Sequence, residues 1–293
     1  MRLIMLVLMF SGLAMAQSKP TRPDPFIIQC HRGAGELAPE NTLEAFELGW
    51  KLKCVPESDL RTTKDGVIVT FHDENFGRVV RTDDESLKKK GVKDLTWEEL
   101  KKLDVGAWKG ESFSGRRVST IGEAFAQMTD HPERRMYLDI KNVDLEQLAR
   151  EVRQHKVEKQ VILASTKYDI IRTWKKLIPE SQTLLWMGGS DAALQKRIDE
   201  LKKSNFQGVT QLQVHIHPVK TDDGAIRFQE SDEFLISVGN DLRPRGILFQ
   251  TLPMQSPDPK VYWKLLDLGC ASFATDHPQI TLDAVRDYYA GKP

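Results

Sequence analysis

Short apolar runs rich in β-branched residues punctuate the chain at residues 26–29, 55–60, 136–140, 160–164, 183–187, 208–211, 246–250 and 271–275. Each has the length of a buried strand. Between most of them the apolar positions shift to helical spacing, at residues 41–53, 145–154, 169–177, 192–203, 258–268 and 282–289. In the first of these, Leu43, Phe46 and Trp50 fall on one face. Asn41 stands where an N-cap is expected, and Glu44 follows three residues later as in a capping box. Strands that alternate with helices imply parallel pairing through helical crossovers. Eight such alternations predict an α/β fold, a closed (β/α)8 TIM barrel, with an open doubly wound sheet as the competing architecture.

One stretch breaks the rhythm. Residues 67–71 read as an extra short strand, and residues 73–119 are long and charged. Within them only residues 96–103 carry a helix pattern, with Thr96 as cap and Glu99 at the third position. The pattern predicts an insertion after the second strand, folded over one barrel mouth.

The first residues bear on compartment. Arg2 precedes an apolar run from residue 3 to 15, and Ala14-Met15-Ala16 has the small-x-small form of a cleavage site. The expectation is a signal peptide over residues 1–16, a single mature domain over residues 17–293, and a secreted or periplasmic protein. The run is too short for a stable span, so no membrane anchor is expected after cleavage. Acidic and basic residues balance at 42 each, which excludes a net field that would recruit nucleic acid or a membrane. Cys30, Cys54 and Cys270 each adjoin an apolar run and are expected as buried free thiols. No feature of the sequence sets an oligomeric state.

Candidate chemistry gathers at predicted strand ends, where barrel enzymes carry their sites. His31-Arg32-Gly33 follows the first strand, Glu57-Ser58-Asp59 ends the second, His72-Asp73 follows the extra strand, and Asp139-Ile140-Lys141 ends the next. Alternate strand residues share a face, so Glu57 and Asp59 both point into the barrel. Two carboxylates there repel unless a cation lies between them, and a hard divalent ion fits oxygen donors. The same residues taken alone also fit an ordinary salt-bridge network. His31 and His72 can exchange protons near neutral pH, and Arg32 offers a fork of donors for phosphate oxygens. His215 and His217 alternate after the sixth strand, either as substrate or metal contacts or as plain loop residues. Glu40 is placed either to orient Arg32 or to serve the helix start.

Taken in order, these residues resemble the glycerophosphodiester phosphodiesterase family. The resemblance rests on His31-Arg32-Gly33-Ala34, Ala38-Pro39-Glu40-Asn41-Thr42, Glu57-x-Asp59, Thr63-Lys64-Asp65-Gly66 and His72-Asp73. It continues in Leu95-Thr96-Trp97-Glu98-Glu99-Leu100, Ser119-Thr120-Ile121 and Thr275-Asp276-x-Pro278, and so covers nearly all of the mature chain. It implies a TIM barrel, a small-molecule glycerophosphodiester substrate and one divalent cation, Ca2+ or Mg2+. It implies His31 and His72 as the catalytic acid/base pair, Arg32 and Lys141 as phosphate contacts, and Glu57, Asp59 and Asp139 as metal ligands. Two positions depart from the family pattern. Asp139 stands where a glutamate is usual, and the seventh strand reads Leu248-Phe249-Gln250-Thr251 in place of a Trp-Thr sequence, with Phe249 expected to keep an aromatic surface toward substrate. The competing functions are a phospholipase D-like barrel enzyme acting on lysolipids or sphingolipids, and a catalytically dead secreted binding protein.

Overall fold

In the computed structural model, which describes residues 26–219 and 221–292, the alternating pattern closes on itself. The strands are β1 (Ile28–Cys30), β2 (Val55–Thr62), β3 (Ile68–Thr70), β4 (Met136–Asn142), β5 (Val161–Ser165), β6 (Gln182–Met187), β7 (Gln211–Ile216), β8 (Pro218–Val219), β9 (Arg227–Phe228), β10 (Leu248–Pro253) and β11 (Ser272–Thr275). Eight of them, β1, β2, β4, β5, β6, β7, β10 and β11, pair in parallel, and β11 returns to β1 to close a TIM barrel. The open-sheet alternative is thereby excluded. Strand β3 lies antiparallel on β2, with Leu60 opposite Thr70. The predicted leader, residues 1–16, falls outside the described residues.

Around the barrel run α1 (Leu43–Lys51), α2 (Glu85–Lys89), α3 (Trp97–Leu100), α4 (Ile121–Ala126), α5 (Leu145–His155), α6 (Tyr168–Leu177), α7 (Asp191–Lys203), α8 (Asp232–Leu242), α9 (Pro259–Asp267) and α10 (Pro278–Tyr289). The main apolar core lies between these helices and the outward face of the strands. It includes Leu60, Leu138, Leu163, Leu185, Leu212 and Phe273. Among the described residues no helix is long and apolar enough to cross a membrane.

Beside an inner apolar cluster of Tyr137, Ile162, Ala164 and Leu184, part of the barrel interior is polar, and this explains one misplaced strand. The sixth barrel strand runs from Gln211 to Ile216, not over residues 208–211 as predicted. Its inward positions are Gln211, Gln213 and His215, so the apolar signal is carried only by the outward Leu212, Val214 and Ile216. The glutamines satisfy one another across the barrel. Gln213 donates to Gln29 at 3.2 Å and also to Gln250, while Tyr137 donates to Gln211 at 2.7 Å and accepts from Gln250 at 3.2 Å. A buried amide without such a partner would cost on the order of 1–3 kcal/mol.

Helix α8 has no counterpart in the sequence reading. Phe234, Leu235, Val238 and Leu242 are its buried residues, but Gly239 and Asn240 interrupt the apolar pattern. Helix α1 begins one residue later than expected. Thr42 is its N-cap and accepts from the Ala45 amide at 3.2 Å. Asn41, expected in that role, is instead held at φ +57° and turned toward β2.

Residues 73–119 carry a separate small core of Phe76, Val79, Val80, Val92, Leu95, Leu100, Val105 and Val118. Helix α3 has the capping box read from Thr96 and Glu99. Asp104 ties the following turn, accepting from the amides of Gly106, Ala107 and Gly115 at 2.8, 2.9 and 2.6 Å. Burial opposes its ionisation, yet those three amides together with Ser114 hold its carboxyl down at about 2.

Cys30, Cys54 and Cys270 are all buried free thiols. Burial pushes the Cys270 thiol up to about 12, which leaves it unreactive at neutral pH. The thermal midpoint is therefore expected to be the same with and without a reducing agent. A drop of several degrees under reductant would show a stabilising disulfide instead.

Candidate active site

The first two strands deliver their polar residues to one end of the barrel. β1 ends at Cys30, and His31 and Arg32 follow at its C-terminal edge. Arg32 adopts φ +53°, a costly conformation for a residue with a side chain. That turn aims its amide at Glu57, whose Oε2 accepts at 2.7 Å. Glu57 and Asp59 both face inward, as their alternation predicts, and β2 pairs with β4 so that Asp59 lies opposite Asp139.

Glu57, Asp59 and Asp139 are buried and bring one carboxylate oxygen each within 4.8 Å of the others. The neighbours of this cluster are unequal. Asp59 accepts from Asn41 Nδ2 at 2.8 Å and lies 3.1 Å from Lys141 Nζ. Asp139 accepts from Lys141 Nζ at 2.6 Å and from the Trp186 indole at 3.2 Å. Glu57 Oε1 is buried and has no hydrogen-bond partner among the described residues, and Arg32 Nε, 3.8 Å from Asp59 Oδ2, donates no hydrogen bond. An orphaned buried carboxylate oxygen inside a three-carboxylate cluster is the donor set expected of a hard-cation site.

The charges follow from these contacts. Burial, with Asp59 close by, pushes the Glu57 carboxyl up to about 8. Burial also raises Asp139. For Asp59 burial works in the same direction, but Lys141, His72 and Arg32 outweigh it and hold the carboxyl below its ordinary value. Burial would lower Lys141, yet Asp59 and Asp139 outweigh it, so the ammonium stays charged. Without a cation, Asp59 is therefore the carboxylate of the cluster most firmly ionised, and Glu57 the one that releases its proton least readily.

Both histidines line the same cleft, and each is held by an aspartate. His31 Nδ1 lies 2.6 Å from Asp276 Oδ1, at the end of β11. His72 Nδ1 lies 2.7 Å from Asp73 Oδ1. Burial would lower His31, but the hydrogen bond to Asp276 and the charge of Glu57 outweigh it and raise the ring above its ordinary value. Arg32 Nη1 reaches both oxygens of Glu40 at 3.2 Å, so Glu40 does orient Arg32.

Six of the seven predicted residues, His31, Arg32, Glu57, His72, Asp139 and Lys141, line one cleft, and Asp59 lies directly beneath in the carboxylate cluster. The two later histidines separate. His215 lines the cleft and stacks on Trp186, with ring centres 4.8 Å apart and planes within 6°. Burial, helped by His31 and His217, brings its ring down to about 4 and keeps it neutral. His217 instead pairs with the buried Glu230 at 2.7 Å and serves the loop. Phe249, expected to face substrate, faces outward in the helix-packed core, and Leu252 is the β10 side chain that lines the cleft. Sequence reasoning missed the role of Asp276, although it falls in a motif that was recognised. It also missed Trp186, for which no signal existed beyond an aromatic residue at an inward strand position.

Residues 31–280 match the model of the glycerophosphoryl diester phosphodiesterase family. The chain belongs to that family. A glycerophosphodiester phosphodiesterase of Caldanaerobacter subterraneus subsp. tengcongensis is 34% identical over 160 residues, covering 52% of this chain and 63% of that protein. A Bacillus subtilis glycerophosphodiester phosphodiesterase is 31% identical over 149 residues, covering 46% of this chain and 48% of that one. The chain thus spans about half the length of the curated relatives it matches. Among solved structures, a putative glycerophosphoryl diester phosphodiesterase of Silicibacter pomeroyi superposes with a TM-score of 0.70 at 19% identity, covering 92% of this chain and 94% of that one. An Oleispira antarctica phosphodiesterase, solved in complex with the product sn-glycerol-3-phosphate, superposes with a TM-score of 0.63 at 24% identity, covering 89% and 96%. At these identities the structural likeness establishes the shared barrel.

Proposed function

We propose that the protein hydrolyses glycerophosphodiesters to glycerol 3-phosphate and an alcohol, and that it needs one divalent cation, Ca2+ or Mg2+, to do so. The observation that carries this reading is the partnerless Glu57 Oε1 within the carboxylate cluster, flanked by two aspartate-held histidines. Glu57, Asp59 and Asp139 would hold the cation, which when bound supplies neutralising charge to the phosphoryl oxygens.

The chain's own residues account for the rest. Arg32, whose Nε donates no hydrogen bond, with Lys141 across the cleft, is suited to non-bridging phosphate oxygens. As the incoming hydroxyl attacks phosphorus, one histidine takes its proton; as the ester P–O bond breaks, the other gives a proton to the departing alkoxide. Asp276 and Asp73 fix the rings through Nδ1 and stabilise the imidazolium that each step requires, as the aspartate does in serine hydrolases. The structure of the Oleispira antarctica protein with sn-glycerol-3-phosphate supports a glycerol phosphate product by likeness of fold and family.

A panel of substrates tests the reading against its rivals. Glycerophosphocholine and glycerophosphoethanolamine are expected to release glycerol phosphate at rates well above those for lysophosphatidylcholine or sphingomyelin. Faster cleavage of the lipids would favour the phospholipase D-like function, and no turnover of any member would favour a binding protein.

A further inference from the structure

We infer that Arg78 is a positioning residue that sets Arg32 and His72 in register with each other, acting through Glu40 and Asp73. The inference rests on the functional reading above, which gives Arg32 the phosphate and His72 a proton. The Arg78 guanidinium donates twice to each of two carboxylates. Nε and Nη2 reach Asp73 at 2.7 and 2.9 Å, and Nη1 and Nη2 reach Glu40 at 2.7 and 2.6 Å. Each carboxylate grips a site residue in turn. Asp73 holds His72 Nδ1 at 2.7 Å, and Glu40 holds Arg32 Nη1 at 3.2 Å. An unbroken chain of five side chains therefore joins the loop after β1 to the loop after β3.

The geometry needs an arginine. A planar fork can serve two carboxylates at once, whereas the compact ammonium of lysine cannot span both bidentately. A third contact steadies the fork: Trp108 lies against the guanidinium, 5.7 Å from ring centre to Cζ. Its indole N–H donates to the Val105 carbonyl at 2.9 Å, in the turn that Asp104 ties. Residues 73–119 thus contribute to the site through Asp73, Arg78 and Trp108. The Arg78 side chain is 42% exposed, so solvent partly screens its ion pairs and the bidentate network adds a modest stabilisation. Its loss should consequently appear in catalysis more than in stability.

The test compares the unmodified protein with Arg78→Ala and Arg78→Lys on glycerophosphocholine. Arg78→Ala is expected to lower kcat on the order of 10²-fold, the scale of a small misplacement of reacting groups, with little change in thermal midpoint. Arg78→Lys should recover little of that loss, while added methylguanidinium should restore much of the rate to Arg78→Ala and none to the unmodified protein. Crystal structures of the unmodified and Ala proteins give a readout that needs no substrate: the Arg32 guanidinium or the His72 ring should leave its place. If the unmodified protein cleaves no diester, the functional reading fails, and the crystallographic comparison still decides the inference. An unmoved Arg32 and His72, an unchanged kcat, or a loss that tracks the thermal midpoint and resists methylguanidinium would overturn it.

Discussion

Glu57→Gln is expected to abolish activity while leaving the protein at least as stable as before. The carboxyl is already forced up to about 8 by burial and by Asp59, and Oε1 finds no hydrogen-bond partner among the described residues. An amide keeps the shape and can still accept from the Arg32 amide, but it removes the charged oxygen a cation would use. Asp59→Asn is the less clean variant, because Asp59 also carries the contacts to Asn41 and Lys141 and its loss should cost stability as well. The raised Glu57 value fixes a pH dependence. Below about 8 a proton must leave before the cation can bind, so affinity for Ca2+ or Mg2+ should rise with pH and level off above that value. Titration calorimetry in buffers of different ionisation enthalpy reads both affinity and proton release. Equal cation affinity in Glu57→Gln and the unmodified protein would remove Glu57 from the metal site.

His31→Ala and His72→Ala should each lower the rate on the order of 10²- to 10⁴-fold, the usual worth of one general acid or base. The two losses should not simply multiply, since both rings act on one transition state. The hydrogen bond to Asp276 raises His31 above its ordinary value despite burial, which favours His31 as the ring that gives the proton. A nitrophenolate leaving group needs little protonation, and a nitrophenyl diester should therefore rescue His31→Ala and leave His72→Ala slow. Asp276→Asn removes a group that raises His31, so the alkaline limb of the pH–rate profile should move to lower pH. Rescue of His72→Ala alone would reverse the two roles, and small equal losses on both substrates would leave the rings with no part in proton transfer.

The barrel and the carboxylate cluster were legible because both depend on local alternation. In β2 and β4 the residues facing inward differ in kind from those facing the helices, so Glu57, Asp59, Asp139 and Lys141 announce their own direction. The same logic misplaced β7, where inward Gln211 and Gln213 read as polar loop although they are buried and bonded across the barrel. Asn41 was misread because a capping position and a bend toward Asp59 use the same residue type. Phe249 was misread because the family pattern suggested an aromatic surface there, whereas alternation along β10 turns Phe249 outward and Leu252 toward the cleft. Asp276 and Arg78 lie far in sequence from most of what they serve, and no local pattern encodes a contact such as His31 to Asp276 across 245 residues. Motif order located the catalytic segments, and only the closed barrel shows which side chains meet.

Phosphorus NMR of glycerophosphocholine incubated with the purified protein tests the central claim most directly. The account predicts a growing glycerol phosphate resonance that stops on adding a chelator and resumes with excess Ca2+ or Mg2+. Undiminished turnover in the chelator, or no glycerol phosphate with either cation, would contradict it.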